Sequence, residues 1–236
     1  MWSIKNLDVS TFSNGDPIPE AKTNESWQQA GENQEPAWCY YENNVSNGTK
    51  YGKLYNWWAV NDPRGLAPEG WHIPTMWEQM HLTNGLDLLK DVSQLKSKTG
   101  WDTYSWETGG DDTKTCPNCL NWSKEYKSKV PCHVCKDTRY VNIKKTPVIK
   151  HTRNGGSNKS GFTALPGGVR QYDGIFGGVG SICVFWSSTE GNKHNYQNYN
   201  EKIWDAFYFI IKNSDDYPEN KVVSKSAGMS IRCIKN

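Results

Sequence analysis

Apolar positions along the chain fall in short clusters separated by polar punctuation rich in Gly, Pro, Asn and Asp. One stretch carries a clear helix start. Thr75 precedes Met76-Trp77-Glu78, so Thr75 and Glu78 form a Thr-x-x-Glu capping box in which each side chain accepts the other residue's backbone N–H. The pattern predicts a helix from Met76 to Leu89, with a weaker continuation through Leu95. Elsewhere the clusters Asn14-Gly15-Asp16-Pro17, Asn61-Asp62-Pro63-Arg64-Gly65, Pro68-Glu69-Gly70, Gly155-Gly156 and Gly167-Gly168 cut the chain into short strand-like pieces. Ile182-Cys183-Val184, Phe207 to Ile211 and Arg232-Cys233-Ile234 read as strand interiors, and no fixed-period repeat is present. The expectation is an α+β fold with few helices, small sheets and extensive loops.

Composition narrows the function. A chain of 236 residues fits a single domain spanning 1–236. A net charge of +2 removes the electrostatic argument for nucleic acid or an anionic membrane as partner. No apolar run approaches the ~18 residues of a membrane span. Met1-Trp2-Ser3-Ile4-Lys5 lacks the apolar core of a secretory signal, which leaves a cytoplasmic chain or a mature fragment of an exported one. The 12 Trp, 12 Tyr and 21 Gly suit a loop-rich fold whose core is filled by large flat side chains. Trp57, Trp58, Trp71, Phe162 and Trp186, set among Gly and Pro, are expected in that core, and Arg170 and Arg232 are expected to pair with carboxylates such as Glu190 or Asp205.

Residues 106–115 and 150–160 are polar, glycine-containing stretches that bracket a cysteine-rich segment, read as an insertion over residues 112–143. Cys116-Pro-Asn-Cys119 and Cys132-His-Val-Cys135 are two Cys-x-x-Cys pairs with 12 residues between them. Two such turns can place four thiolates around one Zn2+, a closed and therefore structural site. Two disulfides, buried free thiols and a redox Cys-x-x-Cys are the alternatives for the same spacing. The segment has few apolar groups, so zinc removal is expected to unfold it locally. Its basic residues, Lys124, Lys127, Lys129, Lys136 and Arg139, read as a solvated surface. Cys39, Cys183 and Cys233 stand alone and are expected to be buried as small hydrophobes.

A series of strings then converges: Trp2-Ser-Ile-Lys-Asn6, Asn14-Gly-Asp-Pro-Ile-Pro19, Trp38-Cys-Tyr-Tyr, Tyr51-Gly-Lys-Leu-Tyr55-Asn-Trp-Trp-Ala-Val60, and Gly65-Leu-Ala-Pro-Glu-Gly-Trp71-His-Ile-Pro74. They continue with Ser160-Gly-Phe-Thr-Ala-Leu-Pro-Gly-Gly168, Phe185-Trp-Ser-Ser-Thr-Glu190 and Gly228-Met-Ser-Ile-Arg-Cys-Ile-Lys235. In content and order the chain resembles the Fibrobacter succinogenes major paralogous domain. The resemblance implies a C-type-lectin-like fold of the formylglycine-generating-enzyme-like type, with small twisted antiparallel sheets, and an extracellular or bacterial-surface location. A cytoplasmic or phage-particle origin is the alternative. The cysteine insertion lies outside the family pattern.

Between Glu190 and Trp204 runs a segment of Asn, Tyr and His with little capacity to form a core. Such residues combine rigid contact area with adaptable hydrogen bonding, and the same composition also suits an ordinary exposed loop. In C-type-lectin-like proteins diversified by retroelements, variable positions follow a Gly-Gly-x-Arg string and flank a Trp-Ser-Ser-Thr-Glu string. By that resemblance the candidate contacts are Gln171, Tyr172, Asp173, Ile175, Ile182, Asn192, His194, Asn195, Tyr196, Asn198 and Tyr199, framed by Trp204 and Phe207. The expected function is non-catalytic recognition of a protein or glycan. The alternatives are an oxidase using Cys183 and Cys233 to hold copper, and a fibre-tip host-attachment domain. Asp111-Asp112 and Asp215-Asp216 lack the ordered spacing of a calcium loop.

Overall fold

The computed structural model describes residues 1–84, 91–115, 140–191 and 205–236. The chain divides into two compact units, Met1–Thr103 with Asn154–Asn236, and Tyr104–Arg153. In chain order the strands are β1 (Trp38–Cys39), β2 (Leu54–Tyr55), β3 (Trp71–His72), β4 (Tyr104–Thr115), β5 (Tyr140–Arg153), β6 (Gly167–Arg170), β7 (Phe176–Val179), β8 (Ile182–Glu190), β9 (Asp205–Lys212), β10 (Glu219–Ser224) and β11 (Ile234–Lys235). The helices are α1 (Asn24–Glu32), α2 (Val45–Tyr51), α3 (Trp57–Val60) and α4 (Met76–Asn84). The architecture is mixed, with short helices and small antiparallel sheets.

In the larger unit β8, β9 and β10 form a three-stranded antiparallel sheet, and β1–β2, β3–β11 and β6–β7 are two-stranded pairs. Sheets this small leave many backbone groups without ladder partners, and buried carbonyls must be satisfied by other means. The tryptophans supply part of the answer. Trp27 donates its indole N–H to Ser226 O, Trp38 to Ile18 O, Trp57 to Ser187 O, Trp101 to Ala164 O and Trp186 to Tyr55 O, at 2.8–3.2 Å. Trp57, Phe162 and Trp186 are buried as expected, while Trp58 and Trp71 are half-buried. The segment Gly228–Ile231 threads this core. Its backbone pairs with Arg170 through Gly228, with Tyr55 through Met229, with Trp186 through Ser230 and with Leu7 through Ile231.

The arginines correct the sequence reading. Neither Arg170 nor Arg232 pairs with Glu190 or Asp205: both are fully buried and bind backbone carbonyls. Arg232 donates to Ser3 O, Phe162 O, Thr163 O and Asn6 Oδ1, with its guanidinium over the Phe162 ring. Burial lowers its pKa to about 10. Glu190 instead pairs with Lys225, whose ammonium lies over Trp57 and Trp58.

The helix signal at Thr75 is realised. Glu78 N–H donates to Thr75 Oγ1 at 3.3 Å and Thr75 N–H to Glu78 Oε2 at 2.8 Å. The described helix ends at Asn84, and the expected continuation toward Leu95 contains a 3-10 turn at Val92–Gln94. The remaining helices escaped the sequence pattern. α1 buries Trp27 and Gly31 and packs a half-buried Ala30 against the core, and its start is held by a Thr23–Ser26 capping box.

The smaller unit is a ribbon of β4 and β5, paired antiparallel from Tyr104↔Arg153 to Thr115↔Tyr140 with two register irregularities. Of the polar stretches expected to bracket the cysteines, 106–115 lies in β4 and only the start of 150–160, through Arg153, lies in β5. Tyr104, Trp106 and His151 stack along one face, whereas Ser105, Glu107, Lys150 and Thr152 are exposed. The insertion expected at 112–143 falls within this unit's range. Cys116, Cys119, Cys132 and Cys135 lie outside the described residues.

Candidate functional site

The β6–β7 hairpin presents the first group of candidate contacts. Within its turn Gln171 N–H donates to Ile175 O, Gly174 N–H to Gln171 O, and Ile175 N–H to Asp173 Oδ1. Gly174 takes φ +87, and a Cβ there would come within 2.8 Å of the Asn24 Cα, so the turn needs glycine for both conformation and space. With the backbone tied this way, Tyr172 and Ile175 project outward, 63% and 57% exposed.

Arg170 fixes this hairpin to the start of α1. Its Nε donates to Gly174 O at 3.0 Å, Nη1 to Ala21 O at 2.7 Å and Nη2 to Thr23 O at 2.9 Å. The guanidinium lies over the rings of Trp27 and Phe176, each centroid 4.7 Å away. Gln28 adds a second tie, donating from Nε2 to Asp173 O at 2.7 Å. Planar donors in a rigid fork suit an arginine that must gather three carbonyls from two segments.

Between α1 and the hairpin lies a groove of about 550 Å³, lined by Gln28, Gly31, Glu32, Gln34, Tyr172, Asp173, Ser224 and Ser226. Gly31 is there because a Cβ would sit 2.6 Å from Ser226 Oγ, so α1 approaches the end of β10 at bare backbone distance. Gln34 follows the helix C-cap with φ 61, the left-handed position that glycine usually fills. A side chain held in that region costs about 1 kcal/mol.

The second candidate segment departs from the same place. Gly191 N–H donates to Asp205 O at 2.9 Å, joining the last described residue before the segment to the first one after it. Asp205 is the cross-strand partner of Ser224, which lines the groove beside Tyr172 and Asp173. The structure therefore brings Tyr172 and Asp173 together with the base of the 192–204 segment. Asn192, His194, Asn195, Tyr196, Asn198, Tyr199 and Trp204 themselves lie outside the described residues. Ile182 does not line the groove: it is half-buried and packs against the core. Phe207 is half-buried on β9 opposite Val222. Sequence reasoning missed Gln28, Glu32, Gln34, Ser224 and Ser226, because the wall they form depends on α1.

Arg170 ends the Gly-Gly-x-Arg string and Ser230 lies in the Gly-Met-Ser-Ile-Arg string, so these strings hold residues that position the hairpin and the core. The model of the Fibrobacter succinogenes major domain matches residues 1–235. The chain belongs to that family. Searches of curated proteins and of solved structures each found no match.

In this family member the isolated thiols are buried as expected. Burial pushes Cys39 and Cys233 each up to about 11, and raises Cys183 further. Cys183 and Cys233 sit in different core clusters. Among the described residues no group of three or more His, Cys, Asp or Glu converges as a metal site. No helix among them is long and apolar enough to cross a membrane.

Proposed function

We propose that this family member is a non-catalytic ligand-binding module, a C-type-lectin-like scaffold displaying the 171–175 hairpin and the 192–204 segment toward a protein or glycan on an extracellular or bacterial-surface assembly. One observation carries the reading. Ser224 lines the groove with Tyr172 and Asp173 and is also the strand partner of Asp205, so both candidate segments spring from one rigid base. Recognition loops on a fixed scaffold are the common arrangement for binding proteins. The buried, raised Cys183 and Cys233 thiols favour this reading over a copper oxidase, because a thiolate ligand needs a lowered pKa and access. Diversification of the loops by a retroelement belongs to the same proposal, and a genomic template copy differing from this sequence only at adenines is its signature.

Cys116, Cys119, Cys132 and Cys135 would hold a structural Zn2+. The support is the register of the ribbon: Thr115 and Tyr140 are strand partners, so β4 and β5 deliver both ends of the cysteine segment to one place.

The test of recognition compares immobilised wild type with the double variant Tyr172→Ala/Ile175→Ser against a glycan array and a panel of cell-surface proteins. A ligand retained by the wild type and lost by the variant supports the reading. Ligands retained equally by both would place recognition elsewhere and defeat it.

A further inference from the structure

The groove's lining specifies more than binding. It comprises two carboxylates, Glu32 and Asp173, two carboxamides, Gln28 and Gln34, two hydroxyls, Ser224 and Ser226, the Tyr172 phenol and Gly31. Among the described residues none of the lining is Lys, Arg or His, so an anionic ligand would meet two like charges there. None is aliphatic, so an apolar small molecule would gain little by entry. The volume, about 550 Å³, lies within the usual range of small-ligand sites.

What such a lining satisfies is a ligand dense in neutral hydroxyls. Carboxylates and carboxamides present paired acceptors, or an acceptor beside a donor, which match adjacent hydroxyls on a ring. Serine and tyrosine hydroxyls donate or accept as required. The Tyr172 ring offers a flat apolar face, 63% exposed, for the C–H face of a sugar. Gln34 gives an independent indication. It holds the left-handed conformation where glycine would sit without strain, so its side chain is retained at a conformational cost at the lip of the groove.

We propose that the groove between α1 and the β6–β7 hairpin is a subsite for a neutral oligosaccharide, with Tyr172 as stacking face and Glu32, Gln34 and Asp173 as hydroxyl partners. The proposal rests on the recognition reading above and names its ligand class. Glu32 and Asp173 exclude uronates, sialosides and sulfated sugars. Replacing one of them with its amide weakens that exclusion and preserves shape.

The experiment uses the full chain on an array holding neutral hexose and N-acetylhexosamine oligosaccharides, their sialylated and sulfated counterparts, and Lys- and Arg-rich peptides. Wild type, Tyr172→Ala, Gln34→Gly and Glu32→Gln are compared. The expected result is binding of neutral glycans by the wild type, weakened about tenfold or more by Tyr172→Ala. Gln34→Gly should weaken binding while leaving thermal stability equal or higher, which a merely structural role would not do. Glu32→Gln should admit acidic glycans. Tyr172-dependent binding of acidic glycans or cationic peptides by the wild type would overturn the neutral-sugar inference and leave the recognition surface standing. Glycan binding indifferent to Tyr172 and Gln34, or no binding of any glycan, would overturn the neutral-sugar inference; the recognition reading falls with it only if the cell-surface protein panel also yields no ligand lost by Tyr172→Ala/Ile175→Ser.

Discussion

Arg170 donates from Nε to the carbonyl of Gly174, four residues along the chain, while its two terminal nitrogens hold Ala21 and Thr23. One buried side chain thus sets the hairpin turn against the entry to α1. Lysine at this position keeps the charge but loses the fork and the stacking on Trp27 and Phe176. Arg170→Lys is expected to destabilise the larger unit by about 2–4 kcal/mol, read by urea denaturation, and to weaken any ligand that depends on Tyr172.

Gly31 and Ser226 should show a reversal of sign. Gly31→Ala improves helix propensity by about 1 kcal/mol, yet its Cβ would lie 2.6 Å from Ser226 Oγ. The expected net effect in the wild type is a loss of about 1–2 kcal/mol. In a Ser226→Gly background the same change should stabilise, and a double-mutant cycle on unfolding midpoints measures the coupling.

His72 bridges Glu78 Oε1 at 2.9 Å and Asn236 Oδ1 at 2.5 Å. Partial burial pushes the imidazole pKa down, but the hydrogen bonds to Glu78 and Asn236 and the Glu78 charge together raise it above its ordinary 6.5. Glu78 moves the other way: burial raises it, while bonds from Thr75 and His72 outweigh that and hold it below 4.5. A raised histidine contributes stability that is complete below 6.5 and is lost as pH climbs through the folded value. The lowered carboxylate contributes above 4.5 and loses it as pH falls. The stability difference between wild type and His72→Gln is therefore expected to be largest near about pH 5.5 and to shrink toward about pH 8.5. Denaturation midpoints across that range check it, and a flat difference would remove the ion pair from the account.

The Lys225–Glu190 pair is asymmetric, since the lysine side chain is 4% exposed and the glutamate 62%. Removing the glutamate takes the carboxylate from a buried ammonium, whereas removing the lysine leaves a solvated carboxylate. Glu190→Ala is expected to cost about 1–2 kcal/mol and Lys225→Met under about 1 kcal/mol. Burial already raises the Asp205 pKa while Lys225 opposes it. In Lys225→Met, therefore, Asp205 should titrate higher still, as carboxyl NMR shifts would show.

Elemental analysis should find one zinc per chain, lost in Cys116→Ser and Cys132→Ser variants. Chelation is expected to increase hydrogen exchange within residues 112–143 and leave the unit Met1–Thr103 with Asn154–Asn236 protected. Absence of zinc, or exchange unchanged by its removal, would return the cysteines to disulfide or redox readings.

Signals contained within a few residues were readable in advance: the Thr75–Glu78 box, the burial of Cys39, Cys183 and Cys233, and the core role of Trp57, Phe162 and Trp186. The family was readable because its strings are long and ordered. Arg170 and Arg232 were misjudged because a sequence displays opposite charges but not the unsatisfied carbonyls that compete for a buried guanidinium. Helix α1 went unseen for a related reason. Its stability comes from Trp27 seated under Arg170 and against Ser226, contacts made by residues far along the chain. The groove walls formed by Gln28, Glu32, Gln34, Ser224 and Ser226 were lost with it.

The bonds from Trp27, Trp38, Trp57, Trp101 and Trp186 all end on peptide oxygens. Every amino acid carries that acceptor, so the partner's identity is irrelevant to the bond. A chain pinned in this manner can exchange the side chains of its connecting segments wholesale while the anchors keep their grip, which separates what must be inherited from what is free to change.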